Sequence, residues 1–150
     1  MDPYHKPQPL DAEDEERLDR SLRRVQTTGG LPMKEKQRKC YMGWLRTLTR
    51  RGHLQESFLL DDDAINQTFK IYFPNPVSRA QYLRAILMYL SGLTSDEWQA
   101  QYPQLVLERE RVILSLKSHI TSANKERKSN SNAANATPGE KNPGDSSILS

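Results

Sequence analysis

Between Leu10 and about residue 123, apolar side chains recur three and four positions apart, with Gly, Pro and capping residues separating the runs. No stretch shows the sustained two-residue alternation, framed by hairpin turns, that marks strands. The pattern predicts an all-α domain, a compact bundle of about five helices over residues 10–123. Residues 1–9 carry Pro3, Pro7 and Pro9 without periodicity. Residues 124–150 are dominated by Asn, Ser, Lys, Gly and Pro, with little to bury before Ile148 and Leu149. Both segments are expected to be disordered tails.

A first helix is expected from Asp11 to Gln26, with Glu13, Asp14, Glu15 and Glu16 in its opening turns and Arg20, Arg23 and Arg24 near its end, matching the helix dipole at both poles. Leu18, Leu22 and Val25 form its stripe. Thr27, Thr28, Gly29 and Gly30 break the chain, and Pro32 fits the first turn of a second helix reaching Arg51, closed by Gly52. On that helix Met33, Cys40, Tyr41, Trp44, Leu45 and Leu48 are assigned to the core face. Between Leu54 and Phe73 the pattern is ambiguous: Phe58-Leu59-Leu60 is a short apolar run, Asp61-Asp62-Asp63 offers caps for a helix carrying Ile65, Phe69 and Tyr72, and Ile71-Tyr72-Phe73 fits an extended segment equally well.

Pro74-Asn75-Pro76 forces a turn, Ser78 is the expected cap, and Tyr82 through Leu90 is apolar almost all the way round, which makes this helix the expected centre of the domain. Thr94-Ser95-Asp96-Glu97 fits a capping box that opens a short helix through Trp98. A last helix is expected from Pro103 to Ala123, with Leu105, Val106, Val112, Ile113, Leu116 and Ile120 inward and Glu108 to Arg111 outward.

The chain has 150 residues, 35% of them hydrophobic and 27% charged, enough apolar mass for one modest core. A two-domain enzyme is therefore disfavoured. Cys40 is the single cysteine, so an internal disulfide and a multi-cysteine zinc site are excluded, and a reducing compartment, cytoplasm or nucleus, is favoured. The N-terminal residues lack the apolar run of a signal peptide, no transmembrane segment is evident, and Asp2 stands where myristoylation needs glycine.

Catalytic inventory is thin. His5, His53 and His119 lack motif partners, and the chain carries no phosphate-binding glycine loop, no nucleophile elbow and no His-Glu-x-x-His. Asp61-Asp62-Asp63 lacks the alternating ligands, glycine and distal glutamate of a calcium loop, so helix capping explains it better than metal binding. The reading is of a protein that is not an enzyme and needs no cofactor or metal.

The second helix is the most informative element. At about 100° per residue, Lys36, Lys39, Arg46 and Arg50 fall in one quadrant beside the apolar face, with Gly43 among them and Thr47 at the edge. A glycine within a basic ridge lets a phosphate backbone approach closely. Lys34, Arg38 and Arg51 add to the field, and only Glu35 opposes these seven cations within the stretch from Lys34 to Arg51. The competing explanation is a solvated face balancing the acidic start of the first helix. Trp44, Tyr41, Tyr82 and Tyr89 lie at core spacing, as do Ile86, Leu87 and Leu90, and are expected to pack rather than to stack on bases. Lys125-Glu126-Arg127-Lys128 is a further short basic cluster.

The expected function is that of a small regulatory or accessory protein, of the kind viruses encode or nuclear complexes contain, binding nucleic acid through the second helix. The alternative is an adaptor for another protein or a self-associating module, with part of the run from Tyr82 to Leu93 shared in a homodimer. A matrix-like module resting on anionic lipid is a third reading.

Overall fold

The computed structural model describes residues 10–26 and 29–135. The expected tail at residues 1–9, the outer part of the expected C-terminal tail at 136–150, and Thr27 and Thr28 lie outside these residues. The fold is all-α, with seven α-helices among the described residues rather than about five: α1 (Ala12–Arg24), α2 (Glu35–Arg50), α3 (Glu56–Leu60), α4 (Asp62–Tyr72), α5 (Pro76–Ser91), α6 (Ser95–Gln101) and α7 (Arg109–Asn135). A 3-10 turn over Leu105–Glu108 precedes α7, and the sole extended pairing among the described residues is an isolated bridge between Gln26 and Pro32.

Local chemistry explains the boundaries. Pro32 is held in that bridge, so α2 starts later than expected, behind Lys34. At the far end of α2 Gly52 takes φ +80° and the His53 N–H returns to the Leu48 carbonyl at 2.8 Å, a glycine C-cap. The Phe58-Leu59-Leu60 run becomes α3, and Ile71 and Tyr72 finish α4 as helix rather than extended chain. Asp61 caps α4 by accepting from the Ala64 N–H at 3.1 Å. Asn75, not Ser78, caps α5, accepting from the Val77 N–H at 2.8 Å with Pro76 in the first helical position. The Thr94–Glu97 capping box forms in both directions. α6 stops before Pro103, which disfavours helical geometry at Tyr102, and the backbone N–H groups of Gln104 and Leu105 are taken by the Glu56 carboxylate at 2.7 and 3.0 Å.

α5 is the axis of the bundle. Leu83, Ala85, Ile86, Leu87, Tyr89 and Leu90 are all buried, with Leu87 the most accessible at 8%. α1 and α2 cover one side and α7 the other, through Val112, Leu116, Ile120 and Ala123. The run from Tyr82 to Leu93 is thus covered largely within one chain. α1 comes so close to the end of α5 that a Cβ at Gly92 would lie 2.0 Å from the Ser21 carbonyl oxygen; the Ser21 hydroxyl donates to the Tyr89 carbonyl at the same crossing.

α4 runs alongside α7, turns at Pro74–Pro76, and hands the chain to α5, which returns antiparallel to α7. The register is fixed at one end by Asp62, which accepts from Ser115 and contacts His119 at 2.8 Å, and at the other by buried Arg79, which donates to the Phe73 carbonyl at 3.1 Å and to Glu126 at 2.5 Å. α7 does not stop at residue 123. It continues to Asn135 through a sequence poor in apolar residues but free of Gly and Pro, which has nothing to bury and also nothing to break a helix already started.

Candidate nucleic-acid interface on the second helix

The ridge expected on α2 exists as a row of cations, but α1 has been laid along its edge. The buried face of α2 is Tyr41, Met42, Leu45 and Leu48. It is rotated from the expected face, leaving Cys40 exposed and Trp44 only half-buried. The rotation brings Arg38 and Arg46 against the acidic side of α1. Arg46 Nε donates to both Glu15 carboxylate oxygens at 2.9 and 3.0 Å and Nη2 adds a third bond at 2.5 Å. Arg38 Nε reaches Asp19 Oδ1 at 3.1 Å. The bond to Arg46 holds the Glu15 carboxyl below its ordinary pKa and raises that of Arg46. Burial pushes the Asp19 carboxyl up, but its bonds to Arg23 and Arg38 outweigh this and keep it below its ordinary value.

The remaining cations divide. Lys39 pairs with Glu35 at 3.3 Å in the open, an i,i+4 contact worth at most a few tenths of a kcal/mol. Lys34, Lys36 and Arg50 are exposed. Arg51 turns inward, its guanidinium 5.1 Å from the Tyr72 ring centroid and 5.4 Å from that of Phe73, a cation on two aromatic faces. Of the seven cations, Arg38, Lys39 and Arg46 are therefore bound to carboxylates of the fold, and Arg51 belongs to an aromatic cluster. Within the stretch itself only Glu35 opposes these cations; Glu15 and Asp19 come from the acidic side of α1.

The aromatics pack. Trp44 makes an edge contact with Tyr41 at 5.2 Å, Tyr82 stacks on Phe73 at 4.0 Å, and the fully buried Tyr89 accepts from Arg17 at 3.0 Å and lies 3.2 Å from the Tyr102 hydroxyl. Ile86, Leu87 and Leu90 are core. His53 is 6% exposed and stacks on Phe58 at 4.9 Å, with Phe69 and Tyr72 beside it. Burial and the neighbouring Arg51 lower its pKa to about 4.

Two features were not anticipated. Ser115, Asp62 and His119 meet in one cluster, but the hydroxyl and the imidazole both face the same carboxylate oxygen, so the serine donates to the acid rather than to the base that acyl transfer requires. The cluster ties α4 to α7. The other is an apolar corner: Ile71 is 75% exposed, Tyr72 42% and Val77 44%, all at the turn between α4 and α5. Helical spacing had assigned Tyr72 to the core stripe of its helix, and only the turn at Pro74–Pro76 could have hinted that this stripe runs off the end of the bundle. Leu107, in the 3-10 turn, and Leu114, near the start of α7, are also exposed. Among the described residues no helix is long and apolar enough to cross a membrane, and no group of three or more His, Cys, Asp or Glu side chains is arranged to hold a metal ion.

No family model matches the chain, and neither the curated proteins nor the solved structures contain a significant match to it.

Proposed function

We propose that this chain is a non-catalytic adaptor that engages another protein through the apolar corner at Ile71, Tyr72 and Val77, with the cations of α2 serving the α1–α2 seam and electrostatic steering. The observation that carries the reading is the exposure of Ile71 and Val77, with Tyr72 partly exposed beside its contacts to Arg51 and His53, at a proline-framed turn whose backbone is fixed by Arg79 and Asn75. The engagement of Arg46 and Arg38 by α1 supports it, because a guanidinium already held by carboxylate must lose that partner before it meets phosphate. Affinity purification of the full chain tests it, with Ile71→Ser/Val77→Ser and Lys36→Glu/Arg50→Glu variants in parallel. A partner protein lost only with the corner variant, and retained after nuclease, supports the adaptor; partners lost only with the α2 variant overturn it.

Nucleic-acid binding is the second reading, favoured by the exposure of Lys34, Lys36 and Arg50 on one helix. Contact through these cations predicts a log–log salt slope of about −2.7 on duplex, at about −0.9 per phosphate. Recruitment of Lys39 and Arg46 as well would steepen it. Undetectable binding at low ionic strength removes this reading.

A further inference from the structure

We propose that the cleft bounded by α1, the end of α2, the start of α3 and the end of α6 is a binding site for a small organic cation, a primary alkylammonium that carries a further hydroxyl or amino group. The cleft is lined by none of the residues of the corner, so the inference is independent of the adaptor reading.

The cleft has a volume of about 380 Å³, within the range of small-molecule sites. Its base is fixed by a chain of hydrogen bonds running into the core. Tyr102, 3% exposed, donates its hydroxyl proton to the Leu54 carbonyl at 2.9 Å and lies 3.2 Å from the Tyr89 hydroxyl, which accepts from Arg17 Nε at 3.0 Å. Arg17 Nη2 is in turn 2.9 Å from Asp14 Oδ1. Leu54, Tyr102, Arg17 and Asp14 all line the cleft.

The charge of the lining selects the ligand. Among the described residues Arg17 is its one cation, and Asp14 neutralises it. Glu56 is left as an uncompensated acid. Its Oε2 accepts from the Gln104 and Leu105 N–H groups at 2.7 and 3.0 Å, which orients the carboxylate and leaves Oε1 for a ligand. The other polar groups are neutral: the carboxamides of Gln55 and Gln101, and the Thr49 hydroxyl, whose proton goes to the Leu45 carbonyl at 2.8 Å and whose lone pairs remain to accept. An ammonium has three donors and no acceptor, and carboxylate, hydroxyl and carboxamide oxygens match it. An anionic ligand would meet Glu56 with no free cation to offset it.

The test is a heteronuclear NMR titration of the isotope-labelled full chain with three straight four-carbon chains, each with a hydroxyl at one end and an amine, a second hydroxyl or a carboxylate at the other: aminobutanol, butanediol and hydroxybutanoate. The amine should bind at least about tenfold more tightly than the diol, weaken with salt, and shift the amide signals of Thr49, Gln55, Glu56 and Gln101. The carboxylate should leave those signals in place. Glu56→Gln keeps an acceptor for the Gln104 and Leu105 N–H groups while removing the charge, and should lower the affinity about tenfold. Gln101→Arg sets a cation at the rim from an exposed position, so it should weaken binding at least as much with the circular dichroism unchanged, and it decides the matter if Glu56→Gln does not fold. No shift at any soluble concentration of the amine, equal affinity for amine and diol, preference for the carboxylate, or affinity unchanged in the folded variants overturns the proposal. So does tighter binding of a lysine blocked at both backbone ends than of the amine, which would assign the cleft to a side chain of a protein instead.

Discussion

α2 and α5 are both 16-residue helices, and the bundle uses them in opposite ways. α5 is enclosed by α1 and α2 on one side and by α7 on the other, so nearly every side chain from Leu83 to Leu90 is apolar and hidden. α2 has neighbours on one side only. It buries Tyr41, Met42, Leu45 and Leu48, and its border with α1 is closed by Arg38 and Arg46 against Asp19 and Glu15. The enclosed helix is held by the hydrophobic effect, which charge screening does not weaken; the border of the open one is held by half-exposed ion pairs, which salt screens. A row of positive charge on a helix therefore says little about ligands until the helix beside it is known.

Substitutions that place charge in each helix should separate the two most sharply. Ile86→Asp puts a carboxylate at a fully buried position with no partner, and the expected outcome is loss of the folded state, a cost of several kcal/mol against a total of about 5–15 for a domain. A cooperative thermal transition by circular dichroism in this variant would mean that α5 is not the enclosed element.

Next in size is Gly92→Ala. The added methyl meets the Ser21 backbone, so α1 must move off the end of α5, at about 3 kcal/mol in chemical denaturation. A near-neutral result would show that the α1–α5 crossing is loose.

The aromatic cluster behind α2 gives a pH test. His53 has a folded pKa of about 4 against an ordinary 6.5, so the folded state carries fewer protons than the unfolded one between these values. Stability should fall as pH drops from about 6.5 to about 4, by roughly 2–3 kcal/mol, and His53 should add no further loss below that. His53→Phe should flatten the profile in that window. Carboxylates act lower. Burial pushes the Glu97 carboxyl up, but bonds from Arg24, Thr94 and Arg20 outweigh it and bring it to about 2, so its contribution, present above its ordinary 4.5, is lost as pH falls through about 2. A profile with no loss above pH 4.5 would remove the histidine from the account.

Arg46→Ala should have the smallest effect. The pair with Glu15 is more than a third exposed, and its removal is expected to cost about 1 kcal/mol or less at low ionic strength and less in high salt. A larger, salt-independent loss would make the seam part of the core and weaken the contrast between the helices.

Much of the fold was legible because it depends on local signals: the capping box at Thr94, the glycine stop at Gly52, and the apolar run that marks α5. What was not legible depends on neighbours. Periodicity placed Cys40 inside and left Met42 out, because the direction from which α1 approaches α2 is a tertiary fact; that same approach neutralises Arg46. Composition led residues 124–135 to be read as a disordered tail because they hold little to bury, yet the capacity to bury and the capacity to continue a helix are separate properties. The corner was missed for a related reason: helical spacing identifies a stripe but not where the bundle beneath it ends.

The pairing of α5 with α7 also has a consequence in time. During synthesis α5 leaves the ribosome well before its cover, and at about 5–20 residues per second the interval between Ser91 and Ile120 is roughly 1.5–6 seconds. For that interval one flank of the most apolar helix in the chain faces solvent. Nascent chains that have emerged from the ribosome only as far as Leu105 should be cleaved readily by protease within α5, whereas chains with α7 fully emerged should resist. The closing of this bundle is thus a late event, made by a helix that arrives after all the others.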